Sequence, residues 1–396
     1  MPTDKDFKRL VRARMDKTGE AYTTARAHLR PDPGPVGPLR GRHPDTAALT
    51  RLLAALGVTD PASGRPLGEA VALGVSGGIG FAYFVFEYDQ LTTLYLGGRI
   101  NSYVQKQDAT EAALARLGIP YQTRRTKGAA TAERQLRAAL DQGPPVIATV
   151  DAARLGSRSV PDWLCGMLPK DVLVEPGDGG DPRVWDLAPA PVPVTWAELA
   201  EARAAIASAR HRLVVAEPPP RPVDLAGAAA AGIATTWRGM LEPPMRNFGV
   251  PGLAKWAELL TAPRDPKGWP RLLEPPDLQV QLLTWLVDWV ETGTGGGFFR
   301  TMYAEFLEEA AGPLGQPELA GVAGDYRELA AAWSALAGLA GDAAGSAPLD
   351  PAALAELLAG LRERVLELGQ AEAAAAAALR AAVADLPDDL TDKEQR

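Results

Sequence analysis

The sequence predicts an α+β domain followed by an all-helical domain. Helices come first and short β-branched runs later between residues 45 and 216, which is the order of an α+β fold with an antiparallel sheet. Four prolines in the segment Glu217 to Pro222 close that region, and every strongly periodic segment beyond them repeats at helical spacing. A length of 396 residues also exceeds the roughly 250 to 300 at which a single core stops growing, so more than one core is expected.

In chain order, Phe7, Leu10, Val11 and Met15, then Tyr22, Ala25 and Leu29, recur at helical spacing. Gly19 divides them, so residues 1–30 read as a helical hairpin. Its basic residues Lys5, Lys8, Arg9, Arg12 and Arg14 read as a solvated face. Pro31, Pro33, Gly34, Pro35, Gly37 and Pro38 make 31–41 a linker. The first domain, 42–217, opens with a helix from about Asp45 to Leu56, an apolar glycine-rich stretch from Ala70 to Phe86 and a short strand at Leu94 to Leu96. Helices follow over Asp108 to Leu117, ending at Gly118 as a left-handed cap, and over Thr131 to Leu140. Pro145 to Asp151, Asp171 to Glu175, Arg183 to Asp186 and Arg212 to Ala216 read as strands, parted by turn signals such as Gly177-Asp178-Gly179-Gly180. The second domain, 223–385, is read as helices over Ala226 to Met240, Val250 to Leu260, Leu278 to Glu291, Gly297 to Ala311, Gly324 to Ala340, and Pro351 to Val383 with a break. Residues 386–396 read as a fraying charged tail.

Composition narrows the function classes. With 41 Lys+Arg against 49 Asp+Glu, the net charge of -8 offers no general attraction to phosphate backbones, so nucleic acid is not an expected partner. No stretch approaches the roughly 18 apolar residues of a membrane helix. A single cysteine, Cys165, forms no internal disulfide, and Met1 is followed by charged residues, so a cytoplasmic protein is expected. Three His and one Cys give a zinc or haem site almost no ligands, so no metal and no cofactor are expected. The 40 Gly, 35 Pro and long Ala runs look like the translation of a GC-rich bacterial genome.

Several segments resemble, in order, the butirosin biosynthesis protein H N-terminal domain family and the helical domain of unknown function that follows it. They are Arg42-His43-Pro44-Asp45-Thr46, Gly74-Val75-Ser76-Gly77-Gly78-Ile79-Gly80-Phe81, Leu96-Gly97-Gly98-Arg99 and Gly118-Ile119-Pro120-Tyr121. Gly143-Pro144-Pro145-Val146-Ile147, Pro193-Val194-Thr195 and His211-Arg212-Leu213 continue the series. Gly293-Thr294-Gly295-Gly296-Gly297-Phe298-Phe299-Arg300 and Tyr303-Ala304-Glu305-Phe306 stand in the helical part. The resemblance implies a papain-like, cysteine-peptidase-like first domain and, for the namesake, acyl transfer from a carrier-protein thioester to an amine. That chemistry uses a cysteine nucleophile, a histidine base and an orienting polar residue. The family's cysteine follows a histidine at the start of the first long helix, where this chain has His43 and then Pro44. The family's histidine position aligns with Lys170, and Asp186 matches the third member. The resemblance therefore implies a degenerate site in a protein of bacterial specialised metabolism. Such a protein is expected to bind a small molecule, a peptide or an acyl carrier protein without cysteine chemistry. The alternative is an acyl or aminoacyl transferase that acts directly on an amine with no covalent intermediate, and the sequence allows a homodimer.

Candidate site residues follow. Thr46, two residues beyond Pro44, is a substitute nucleophile only if a base reaches it. His43 is a base if Asp186 orients it, and otherwise a cap or packing residue. Cys165, between Leu164 and Gly166, reads as a small core hydrophobe. Arg99 is a candidate anchor for a carboxylate or phosphate, Arg300 for a charge-assisted ligand contact, and Tyr83 for a pocket-lining tip within the mostly core set Phe81, Tyr83, Phe84, Phe86 and Tyr88. The Gly74 to Gly80 run lacks the Gly-Lys-Ser/Thr ending of a phosphate-binding loop and reads as a close backbone approach beside the sheet.

Overall fold

The computed structural model describes residues 41–88, 91–155, 165–166 and 169–386. The hairpin read at 1–30, the linker up to residue 40 and the tail beyond 386 lie outside the described residues. Helices α1 (Pro44–Ala55) and α2 (Glu69–Val75) lead into an antiparallel hairpin, β1 (Ile79–Tyr88) and β2 (Leu91–Arg99). The chain then runs through α3 (Ser102–Gln105), α4 (Ala109–Arg116), β3 (Tyr121–Arg124), α5 (Ala129–Leu140), β4 (Val146–Asp151), β5 (Pro169–Pro176), β6 (Pro182–Trp185), β7 (Val192–Pro193), α6 (Trp196–Ala205) and β8 (Leu213–Ala216). The six later strands form one antiparallel sheet of order β3-β8-β4-β5-β6-β7. Among the described residues seven α-helices follow: α7 (Leu225–Leu241), α8 (Gly249–Leu260), α9 (Trp269–Leu272), α10 (Pro276–Glu291), α11 (Arg300–Leu314), α12 (Leu319–Ser346) and α13 (Pro351–Ala382).

The central strand β4 is buried at every residue, because helices cover both faces of the sheet. Ile147, Leu173 and Val214 pack with Leu49, Leu52 and Leu53 of α1 and Leu114 of α4. On the other face, Val146, Ala148, Val150 and Val172 meet Leu136 of α5 and Leu199 of α6. A strand covered on both sides reads as a continuous apolar run, which is why Val146-Ile147-Ala148-Thr149-Val150 was legible. The helix over Glu69–Val75 is the element that differs from the expected single apolar stretch. Its seven residues, Glu-Ala-Val-Ala-Leu-Gly-Val, are all buried after Glu69 and show no polar face to mark a helix. The long helix α12 extends past the expected ends at 324 and 340, and α13 runs without the expected break.

The β1-β2 hairpin belongs to the helical domain's core. Phe81 stacks on Trp256 and Trp333 at 6.0 Å, and Tyr83 stacks on Trp256 at 6.0 Å while its hydroxyl accepts from Trp269 Nε1 at 3.0 Å. Phe84 and Phe86 lie at the alternate positions, and Phe86 is exposed. Helix α2 crosses α7 and α11 just as closely: a Cβ on Gly232 would stand 2.1 Å from the Gly74 carbonyl oxygen, and one on Gly74 would strike Phe306 at 2.3 Å. Gly74 and Gly78 thus serve a close approach to helices, while Gly80 lies against the Arg99–Ile100 backbone at the end of the hairpin.

One ion pair ties these parts together. Arg300, at the start of α11, donates through Nε to Glu372 of α13 at 2.8 Å, with both side chains fully enclosed. Its other nitrogens donate to the carbonyls of Gly80 (2.9 Å), Gly98 (3.2 Å) and Phe298 (2.8 Å), reaching both strands of the hairpin. Removing one partner of such a pair leaves an uncompensated charge in the core and costs about 3–5 kcal/mol. Arg300→Met is expected to lower stability by about that amount, with the sheet and the helical core still unfolding in one transition. Denaturant melts followed by tryptophan fluorescence and by far-UV circular dichroism check this, and two separated transitions in the wild-type chain would refute the shared core.

Candidate functional site

The site is built around the N-terminus of α1. Pro44 takes the first helical position, where its fixed φ suits a helix start and its missing N–H is no loss. His43, the residue before it, makes no side-chain cap hydrogen bond. Glu69, the first residue of α2, does that work from outside: its carboxylate accepts from the backbone N–H of Arg42 at 2.9 Å and of His43 at 3.2 Å. The hydroxyl of Thr46 lies 2.8 Å from Glu69 Oε2 and 3.1 Å from the His43 carbonyl oxygen. The chain's own carboxylate therefore occupies the positive end of the helix.

Arg99, the last residue of β2, reaches this helix start. Its Nη1 donates to His43 Nδ1 at 3.3 Å and lies 3.4 Å from Asp45 Oδ2, and Nη2 donates to Ser76 Oγ at 3.1 Å. Its Nε–H is buried with no acceptor. Burial holds the guanidinium below its ordinary pKa, opposed by Asp45, Asp171 and Tyr95. From the helical domain, Phe299 sets its ring edge-on to His43 with centroids 5.1 Å apart, and Arg99 stands 5.9 Å over the same ring. Arg42 closes the margin with a hydrogen bond to Glu305 of α11 at 2.7 Å.

The start of β5 faces the first turn of α1, where the Asp171 N–H donates to Asp45 Oδ1 at 3.0 Å. The Asp171 carboxylate is taken by Arg212 Nη1 at 2.8 and 2.9 Å, by Thr149 Oγ1 at 2.8 Å and by Thr110 Oγ1 at 3.0 Å. The rest of the Arg212 guanidinium holds Glu111, through Nε at 3.0 Å and through Nη2. Burial pushes Arg212 down, and Asp171 and Glu111 together push it further up, leaving it above its ordinary value. Arg212 is thus a compensated cation, whereas Arg99 has one long contact to a carboxylate and an idle donor.

The other sequence-selected residues fall in different places. Pro44 and Thr46 are buried at the helix start, and Lys170 is half-buried on β5 opposite Val150. Asp186 lies just beyond β6, where Arg51 donates to its carbonyl and to that of Ala188 at 3.0 Å, about two turns along α1 from Pro44. Cys165 is half-buried beside Gly166, whose N–H donates to Asp151 Oδ2 at 2.6 Å at the end of β4. Arg300 and Tyr83 are enclosed in the interdomain core with the partners given above, so neither presents a polar tip to a pocket. Glu69, Asp171, Glu111 and Phe299 are additions that sequence reasoning missed. Among the described residues no cluster of three or more His, Cys, Asp or Glu is arranged to hold a metal.

Residues 43–158 match the family model described as butirosin biosynthesis protein H, N-terminal, and residues 197–379 match the one described as domain of unknown function DUF4872. The second match begins within α6, so β8 falls inside it, while Lys170 and Asp186 lie between the two matched segments. No curated protein matches the chain.

Glu69→Gln keeps the shape of the cap and removes its charge. It is expected to lower stability by about 1–2 kcal/mol, the scale of a lost helix cap with its dipole interaction, as read from the urea midpoint.

Proposed function

We propose, for a chain that belongs to the butirosin biosynthesis protein H N-terminal family and continues into a DUF4872 domain, a binding role in specialised metabolism that uses no cysteine chemistry. The observation that carries this reading is the filled α1 N-terminus. In a papain-like arrangement the helix dipole lowers a thiol's pKa from about 8.5, and an imidazole on the facing strand completes the pair. Here the helix start is Pro44, its dipole is engaged by Glu69, and the facing strand offers Lys170 and an Asp171 already committed to Arg212. The side chain at this centre with donor capacity to spare is Arg99. The ligand is a small molecule, a peptide or the acyl-pantetheine arm of a carrier protein, and its carboxylate or phosphate is held by Arg99.

The test is to incubate the full chain with S-acyl 4′-phosphopantetheine and an amine acceptor, following intact mass, amide product and binding heat. Binding with neither adduct nor amide, weakened about tenfold or more in Arg99→Met, is the expected result. Amide without an adduct would instead establish direct transfer, for which His43 and Asp186 are the proton carriers to mutate, and an acyl adduct would overturn both readings.

A second expectation concerns Pro44→Cys. With Glu69 on the helix end and no imidazole opposite, the introduced thiol is expected to ionise at or above about pH 8.5, as the pH dependence of iodoacetamide alkylation would show. A thiol ionising well below that value would mean that the activating environment survives.

A further inference from the structure

On the face of the sheet opposite α1, a small pocket opens between α5 and α6. It is lined by Glu133 and Leu136 of α5, by Trp196, Leu199 and Arg203 of α6, and by His211 just before β8. Arg203 is 2 % exposed. Its two terminal nitrogens donate to main-chain carbonyls, Nη1 to Ala132 at 3.2 Å and Nη2 to His211 at 2.9 Å, and its Nε–H is buried with no acceptor. No carboxylate forms a salt bridge with it among the described residues. The lining acid Glu133 is held by Arg137 at 3.0 and 2.6 Å, and the Arg137 guanidinium lies 3.7 Å over the Trp196 ring.

An enclosed cation without a counter-charge is unfavourable, and carbonyl dipoles offset only part of the deficit. Two other buried guanidiniums, Arg212 and Arg300, each carry a carboxylate, while Arg116 donates to the Val75 carbonyl, Gln105 Oε1 and Thr235 Oγ1. The pocket has room for about one water-sized particle. Leu136 and Leu199 give it apolar walls, where attraction between opposite charges is stronger than in water.

We infer that this pocket is a small-anion site, in which a halide, or one oxygen of an entering carboxylate or phosphate, sits on Arg203. His211 contributes no second charge, since burial and Arg203 both push its imidazole toward the neutral form. Burial alone brings the Arg203 guanidinium down to about 10, still cationic near neutral pH. The site is separate from the α1 centre and does not depend on the function proposed there.

The experiment is thermal melting of the full chain against sodium chloride, bromide, acetate and phosphate, with Arg203→Gln measured in parallel so that general salt effects cancel. A saturable rise of about 2–4 °C in the wild type that the variant lacks is expected, and the halide and oxyanion arms identify which anion fits. Equal salt responses in the two proteins would mean that water alone solvates Arg203, which overturns the inference. Should Arg203→Gln fail to fold, Glu133→Gln provides the second reading: removing a lining negative charge is expected to tighten anion binding about two- to fivefold. An unchanged midpoint there would count equally against the site.

Discussion

A guanidinium taken out of water must be met by acceptors, and the position of Arg300 follows from that requirement. Its donors reach Glu372 on α13 and the carbonyls of Gly80 and Gly98, one on each strand of the hairpin. The hairpin cannot leave the helical core without taking two carbonyl acceptors from a buried guanidinium, so two segments far apart in sequence are fixed as one body. Gly98 immediately precedes Arg99. The contact that holds the hairpin to the helices therefore also sets the backbone from which Arg99 reaches His43, Asp45 and Ser76. The geometry at the α1 N-terminus is thus imposed from the helical side as much as from the sheet.

The same requirement shapes the centre at the α1 N-terminus. A cysteine–histidine pair works because the helix end is free to stabilise a thiolate and the facing imidazole is free to exchange a proton. In this chain both freedoms are used up. Glu69 takes the helix end, and the facing strand carries an aspartate hydrogen-bonded by two threonines and paired with Arg212, a guanidinium it shares with Glu111. Fixed charges with fixed partners hold geometry well and move protons poorly. Arg99 stands apart because its single carboxylate contact is long, at 3.4 Å, and one of its donors is idle. A cation left in that condition at a helix start has donor capacity for one more acceptor.

The longer helices and the antiparallel strands β4, β5, β6 and β8 were legible because burial writes periodicity into the chain, whereas α2, α6 and β3 were not. The Leu49, Leu52 and Leu53 pattern marks α1, and the unbroken apolar run of β4 marks a strand covered on both faces. The α1 centre was legible only where it is local, at His43, Pro44 and Thr46. Glu69 meets its partners across 27 residues, Arg212 meets Glu111 across 101 and Arg300 meets Gly80 across 220, and no spacing rule connects residues so far apart. That is also why Arg300 and Tyr83 looked like ligand contacts: a polar group on an apolar run reads the same whether its partner is a ligand or a distant part of the chain. Arg99 could be chosen from the sequence because two glycines precede it, but its idle donor could not.

The loop that presents Phe299 shows how much the fold spends on this one location. Gly295, Gly296, Gly297, Phe298 and Phe299 all have positive φ, and the last two are aromatic residues for which that conformation costs of order 1–3 kcal/mol each. Gly297 could carry no side chain, since a Cβ there would lie 2.7 Å from the Ala330 Cα. A regular start to α11 would have avoided the strain. What the left-handed turn accomplishes is to send Phe298 into the tryptophan cluster, 4.6 Å from Trp333, while Phe299 points the other way, onto His43 and Arg99. The burial of Phe298 and the Arg300 bond to its carbonyl hold the strained conformation in place. Phe299 is then the residue whose position the strain secures, and it lies against a polar centre to which both domains contribute.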